Sequence, residues 1–331
     1  MEYLDILNNI NSEGLNNKMK VLSLFDGISC GRIALERSNI NVERYVAYEI
    51  EKNAIKITKK NYPDTEEMGD VFKGDFTQYK DFDLLIGGSP CTYWSIAQKA
   101  EDREVTNSGL GWELFNQYTR ALKESNIPYF IYENNYSMDN KIKEEITKAF
   151  KEILGYEIKP IHINSALVSA QRRDRLYWTN IPCNGDNFIP EDRNIKLQDI
   201  LEFGYADKPK SLCIARRYAG FQGTESYLCR RYFGKSFGQA AFSTKEDRDT
   251  LYKLYKENPY FDKDTPVEKE PTKRKIRQLT VTEVERLQTL PDNYTQCDDI
   301  SDPKRIETIG NGWTVDVITY ILNGFQRQKN G

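Results

Sequence analysis

Between residues 21 and 178 the chain alternates short apolar runs with segments of helical apolar spacing, and this alternation limits the fold more than any other feature. Residues 21–25 (VLSLF), 44–49 (RYVAYE), 67–68, 82–86 and 128–132 read as strands. The segments GRIALERS and EKNAIKITKKNY, then 110–125 and 141–154, read as helices between them. Two more strands are expected at 156–163 and 176–178, and residues 1–17 form a polar helix or arm. Apolar runs bounded by turn residues suit strands buried on both faces. Strands separated by helices need crossover connections. The expectation is an α/β fold: a doubly wound, mostly parallel sheet with helices on both faces.

The pattern dissolves near Cys183. Residues 183–277 hold short segments, many aromatics and scattered Lys and Arg, which reads as a second, smaller, irregular domain. Helical spacing returns in LTVTEVERLQTL and TVDVITYILNGF. The expected organisation is therefore 1–182 as a first domain, 183–277 as the second, and 278–331 rejoining the first. A length of 331 residues with 39% hydrophobic content supports a core of that size.

Composition removes several classes of function. No apolar run approaches a membrane span, and MEYLDILNNINSEGLNNK lacks the basic start and apolar middle of a signal peptide, so a cytoplasmic protein is expected. The six cysteines, at 30, 91, 183, 213, 229 and 297, show no CxxC spacing, so neither a disulfide scaffold nor a metal site is expected. His162 is the single histidine, so a Ser-His or Cys-His pair would have to use it. It sits in YEIKPIHIN, where a structural duty in a strand fits better. A net charge of −3 gives no global attraction for nucleic acid; binding would need a local basic face.

Chemistry in an open α/β sheet sits at the carboxyl ends of the strands. LLIGGSPCTYWSIAQ (84–98) turns there through Gly87, Gly88, Ser89 and Pro90, and holds Cys91 just past the strand end. Taken alone, Cys91 is either a nucleophile or a small buried hydrophobe. The first turn is FDGISCG, residues 25–31, where glycines let backbone approach a ligand. Glu49 ends the second strand, where an acid can take ribose hydroxyls, and Asp70 ends the third, placed to accept from an adenine amine. With no GxGxxG and no Walker lysine, this set suits an adenosine cofactor rather than a polyphosphate; the alternative is an ordinary turn with solvated acids. The polar stretch 93–109 is either a mobile flap or an idle surface loop.

With these strand ends side by side, the chain resembles the cytosine-C5 DNA methyltransferases. FDGISCG resembles their cofactor turn, GGSPCTYWS the catalytic Pro-Cys loop, and YENN the Glu-Asn-Val motif. QRRDRLYW (171–178) is similar to the family's Gln-x-Arg-x-Arg block. RQLTVTEVERLQTLPDNYT resembles the segment supporting the recognition domain, and GNGWTV (310–315) the closing motif. The motifs keep the family's order from about residue 20 to 325. The wording SLFDGIS and GGSPC is similar to the branch that includes the animal de novo enzymes, and the compact size to phage or bacterial members.

The resemblance implies a Rossmann-like methyltransferase using S-adenosylmethionine, with S-adenosylhomocysteine as product, acting on double-stranded DNA as a monomer in the bacterial host cytoplasm. It also implies a restriction-modification setting. Cys91 would add as thiolate to C6 of a flipped-out cytosine, so that C5 takes the methyl group. Glu133 would hold the N3/N4 edge and Arg175 the ring's O2, with Arg173 and Arg175 supplying positive potential. Phe25, Asp26, Gly27, Gly31, Glu49, Asp70, Val71, Pro90, Asn311 and Val315 would bind the cofactor. Ser95, Gln98, Gln171, Arg216, Arg217, Arg230 and Arg231 would contact DNA, the last four from the 183–277 insert that would form the target-recognition domain. Their neighbours include Tyr218, Phe221, Tyr227, Tyr232 and Phe233, although charges there equally suit solvation of a small domain.

Two positions depart from the family. Asn135 stands where an apolar Val is usual, and Thr92 where many bacterial members carry Gln. A tRNA cytosine-C5 methyltransferase on the same scaffold is the alternative enzyme, but the Cys-Phe-Thr typical of that branch is absent. A catalytically silent DNA-binding relative would lose Cys91 or the Glu133–Asn134 pair, and both are present.

Overall fold

The computed structural model describes residues 18–90, 94, 109–182, 188–214, 225–234, 239–257 and 275–327. The apolar runs of the sequence become the strands of one seven-stranded sheet. In chain order these are β1 (Met19–Leu24), β2 (Val42–Tyr48), β3 (Glu66–Glu67), β4 (Leu84–Gly87), β5 (Tyr129–Asn135), β6 (Ile161–Asn164) and β7 (Asp174–Thr179). Their order across the sheet is β3-β2-β1-β4-β5-β7-β6. The ladders joining β3, β2, β1, β4 and β5 are all parallel. The exception is β7, antiparallel to β5, pairing Glu133 with Tyr177 and Asn135 with Arg175. These pairings carry β5 three residues past the apolar run that signals it. The strand expected over 156–163 forms only at Ile161–Asn164. Gly155 ends the preceding helix in a left-handed conformation, φ 76°, and Pro160 has no N–H for a ladder.

Helices cover the sheet: α1 (Cys30–Arg37), α2 (Lys52–Asn61), α3 (Leu110–Ser125) and α4 (Asn140–Leu154). In α3 the buried Trp112, Phe115, Tyr118 and Leu122 fall on one helical face. In α4 Ile142, Ile146 and Phe150 do the same, and Asp139 caps the start by accepting from Lys141 N at 2.9 Å. These faces meet Tyr132 and Trp178 in an aromatic core: Phe115 to Tyr132 5.3 Å, Tyr118 to Tyr132 4.8 Å, Phe130 to Phe150 5.0 Å. Gly87 lets β4 pass close to its neighbours; a Cβ there would lie 2.6 Å from the Leu24 carbonyl.

The described residues divide into two compact units, one within Met1–Ile163, Asp174–Pro190 and Val315–Gly331, the other within Asn164–Arg173 and Glu191–Thr314. The sequence reading placed its boundaries at 182/183 and 277/278. The segment between β6 and β7 and the stretch up to Thr314 instead pack with the second unit.

That unit contains α5 (Leu197–Ile200), α6 (Glu225–Phe233), β8 (Ala241–Phe242), α7 (Lys245–Glu257), β9 (Ile276–Arg277), α8 (Val281–Leu287) and α9 (Asp302–Asn311). Thr280 and Glu283 form a reciprocal capping box at the start of α8. Glu283 also pairs with Arg277 at 2.7 Å, and the fully buried Glu285 with Arg305 at 3.3 Å. Back in the first unit, α10 (Val315–Leu322) and α11 (Gly324–Arg327) end the described chain. The ion pair Arg37–Asp316, at 2.5 Å, ties α10 to α1.

Candidate active site

The turn after β1 reverses the chain through left-handed residues. Phe25, Gly27 and Ser29 have φ of 58°, 61° and 56°. Two of these are not glycine, so the surroundings must hold the conformation. Asp26 does much of this: its carboxylate accepts from Ser23 Oγ at 2.6 Å, Tyr45 Oη at 2.7 Å and Ser29 Oγ. Burial raises the Asp26 carboxyl above its usual range, with the three hydroxyls opposing the shift. Glu49, at the end of β2, holds the other side. One of its oxygens accepts from Gly27 N and the other from Ile50 N and Glu51 N, all at 2.8 Å. Burial raises this carboxyl as well, against the pull of those N–H groups.

Beyond β3, Asp70 caps a short 3-10 turn (Val71–Lys73), its Oδ1 accepting from Phe72 N at 3.0 Å. Val71 is buried, and its carbonyl accepts from Arg120. A Cβ placed on Gly27 would meet nothing within 4 Å, so open space lies over the turn. Ile50, 72% exposed beside Glu49, and the exposed Phe72 beside Asp70 put apolar surface next to these acids. Neither Ile50 nor Phe72 was singled out from sequence; exposure of a large apolar residue is visible only in the fold.

The next strand end carries the Pro-Cys turn. Ser89 is buried and Pro90 exposed; Cys91, Ser95 and Gln98 lie outside the described residues, as does most of the 93–109 loop. Ser89 is fixed from β5. Its Oγ lies 2.7 Å from Tyr132 Oη, and Asn134 Nδ2 donates to the Ser89 carbonyl at 3.2 Å and to Tyr132 Oη at 3.0 Å. Every member of this network is buried, so it fixes the backbone leading into Cys91. Trp94, three residues beyond, is buried against Trp112 at 5.1 Å between ring centroids.

Strand alternation sends Glu133 to the face opposite Tyr132 and Asn134. Its Oε1 lies 2.8 Å from Arg175 Nε, and both side chains are nearly buried. Arg175 Nη1 donates to the Asp174 carbonyl at 2.8 Å, which fixes the guanidinium plane. Thus β5 and β7 together place a carboxyl group and a guanidinium, paired and sheltered, beside the strand end that leads to Cys91.

Two expected site residues have other duties. Gln171 is fully buried in the second unit, with Nε2 donating to the Leu287 carbonyl at 3.1 Å and Oε1 accepting from Ile214 N at 2.8 Å. A side chain bonded at both ends and removed from solvent is a strut, not a DNA contact. Arg173 is also buried there, donating to the carbonyls of Gly312 at 2.9 Å, Gly310 at 3.3 Å and Ile214 at 3.4 Å. Its guanidinium is held by backbone oxygens, so it props this unit.

Asn311 ends α9 exposed, while Val315 starts α10 fully buried; Gly31 is buried in the first turn of α1. Arg216 and Arg217 lie outside the described residues, as do Tyr218 and Phe221. Arg230 and Arg231 are half-buried on α6, and Arg231 lies over the Tyr227 ring at 5.9 Å. Tyr232 and Phe233 face inward, with Tyr232 to Phe242 at 5.2 Å and Phe233 to Tyr255 at 5.6 Å, so these rings form the unit's core. Among the described residues no group of His, Cys, Asp or Glu could hold a metal ion.

Comparison with known proteins fits this geometry. The profile of the C-5 cytosine-specific DNA methylases matches residues 19–327. The orphan methyltransferase M.SPRI of Bacillus phage SPR is 34% identical over 197 residues, 56% of this chain and 43% of that protein. This chain therefore spans less than half the length of that phage relative. The type II methyltransferase M1.ScrFI of Lactococcus lactis subsp. cremoris is 28% identical over 91% of this chain and 76% of its own. In fold, a Spodoptera frugiperda DNMT2 mutant superposes with a TM-score of 0.67 at 18% identity, covering 93% of this chain and all of that one.

Proposed function

We propose, for a chain that belongs to the C-5 cytosine-specific DNA methylase family, that it transfers a methyl group to C5 of cytosine in double-stranded DNA. The observation that carries the reading is the sheltered Glu133–Arg175 pair, 2.8 Å apart, beside a strand end whose Ser89-Pro90 backbone is tied down by Asn134 and Tyr132. Cytosine C5 is a weak nucleophile. Addition of the Cys91 thiolate at C6 makes C5 enamine-like and able to take an electrophilic carbon; the C5 proton then leaves to a base, which we propose is water, and the thiolate is expelled from C6, restoring the ring. Glu133 would hold the N3/N4 edge as the ring accepts electrons, and Arg175 the carbonyl oxygen O2. A stacked base offers none of these atoms, so the nucleotide must leave the duplex.

The turn fits S-adenosylmethionine by the chemistry of its donors. Glu49 and Asp70 offer acceptors for ribose hydroxyls and an adenine amine, and Ile50 and Phe72 offer apolar surface beside them. Asp26 and Glu49 put two carboxyl groups at the turn, which suits a cation and disfavours phosphates. When bound, the cofactor supplies an electrophilic methyl group. Phe25 and Gly27 would border it, and Asn311 and Val315 would close over it. DNA contacts are assigned to Arg216, Arg217, Arg230 and Arg231. No described helix is long and apolar enough to cross a membrane.

The test is methyl transfer from labelled cofactor to duplex DNA and to tRNA, side by side. Transfer to DNA is expected; transfer to tRNA alone would replace the substrate. Cys91→Ser should abolish transfer and keep S-adenosylhomocysteine binding. A 5-fluorocytosine duplex should become covalently joined to the native chain and not to the variant. Turnover by Cys91→Ser would remove the covalent step.

A further inference from the structure

Asn135 carries a donor that the other described residues leave unused. The residue is 5% exposed, and its Nδ2 is buried with no hydrogen-bond partner among the described residues. The orientation of the amide is fixed by its other end. Oδ1 accepts from Ser137 N at 2.7 Å and Ser137 Oγ at 2.6 Å, and a backbone N–H can only meet an oxygen. A buried donor without a partner costs stability, and native structures retain few of them.

Its place says what the amide can serve. Asn135 is two residues from Glu133 along β5, so both project from one face of the sheet. It is directly opposite Arg175 on β7, so those side chains are neighbours on that same face. Arg175 Nε is in turn paired with Glu133 at 2.8 Å. Asn134, on the other face, serves the Ser89 turn instead. The idle N–H therefore shares a face with the one sheltered ion pair of the candidate site.

We propose that Asn135 Nδ2 is a second hydrogen-bond donor, beside Arg175, to the ring carbonyl oxygen of the flipped-out target base. The proposal rests on the DNA-cytosine reading above. A neutral donor at that oxygen stabilises electron density as the ring is attacked, without adding to the charge already held by Arg175. The bond forms only once the base has swung in, so its loss falls on kcat more than on KM for DNA.

Two variants isolate the donor. Asn135→Val installs an apolar side chain and removes both ends of the amide. Asn135→Asp keeps the oxygen that Ser137 needs, removes the N–H and adds a carboxylate charge. Methyl transfer to unmethylated phage DNA and binding of S-adenosylhomocysteine would be measured for each. Both variants should lose about tenfold in kcat, the scale of one net hydrogen bond, with KM for DNA and binding of S-adenosylhomocysteine within about twofold of native. A charge effect would appear in Asp alone, and a turn effect in Val alone; either pattern overturns the proposal. So does native kcat in either variant, or loss of S-adenosylhomocysteine binding in both. If the native chain transfers no methyl group to DNA, the DNA-cytosine reading falls and the substrate role of Asn135 with it. A native chain that methylates DNA beside undiminished variants removes the Asn135 role alone.

Discussion

At the scale of single residues, Glu67 shows how burial makes an ordinary acid pH-sensitive. It ends β3 opposite Ala47, and neither carboxylate oxygen touches solvent or finds a partner among the described residues. Burial, then the negative charges of Asp26 and Glu49, push the carboxyl up to about 7, with Lys59 on α2 opposing. The folded chain therefore holds this proton more tightly than the unfolded chain, whose carboxyl titrates near 4.5. The resulting stabilisation is fully present below that lower value and is lost as pH rises through about 7. Since the side chain is only half-buried, solvent reduces the effect to on the order of 1–2 kcal/mol. The native chain should melt several degrees lower at pH 8.5 than at pH 6, and Glu67→Gln should remove most of that difference. An unchanged slope in the variant would show that another group governs it. None of this is legible in the sequence, where Glu67 is one acid beside another.

At the scale of elements, β5 does two jobs because a strand has two faces. Tyr132 and Asn134 fix the Ser89 backbone, while Glu133 and Asn135 face Arg175. Tyr132→Phe removes the hydroxyl between Ser89 and Asn134. It should cost about 1 kcal/mol in denaturant unfolding and lower methyl transfer severalfold, with cofactor binding unchanged. Undiminished transfer would mean that the Pro-Cys turn stands without that bond. Much of this element was readable. YENN after an apolar run placed Glu133 at a strand end, and the regular spacing of 110–125 and 141–154 gave α3 and α4 almost to the residue. The antiparallel β7 was less so, because only its pairing with Glu133–Asn135 reveals its direction. The parts played by Gln171 and Arg173 were not readable at all. Their partners are carbonyls of Ile214, Leu287, Gly310 and Gly312, and nothing local announces a contact so distant in sequence. Gln171 and Arg173, read from sequence as site residues, are in fact buried against the inner backbone of the second unit.

At the scale of the whole molecule, each unit has its own polar framework. In the second, Gln171 meets Leu287, Gln288 and Ile214, so Gln171→Ala takes the acceptor from the buried Ile214 N–H, while Ser169 still donates to the Leu287 carbonyl and Thr314 to Gln288 Oε1. Such a loss costs about 1–3 kcal/mol. Hydrogen exchange should show the loss as faster opening within 164–173 and 191–314, with the strands of the sheet still protected. Uniform loss across both units would mean that they open as one.

The second unit is built from two separate lengths of chain, Asn164–Arg173 and Glu191–Thr314. On the proposed reading, in which this unit contacts DNA, that division sets the terms on which it could be exchanged with a relative. A graft cut at the composition change near residue 183 would leave Gln171 and Arg173 in the recipient, facing foreign carbonyls. A working chimera must carry the short donor segment from between β6 and β7 along with the long one. Exchange of this unit by recombination would then require two coordinated crossovers, not one.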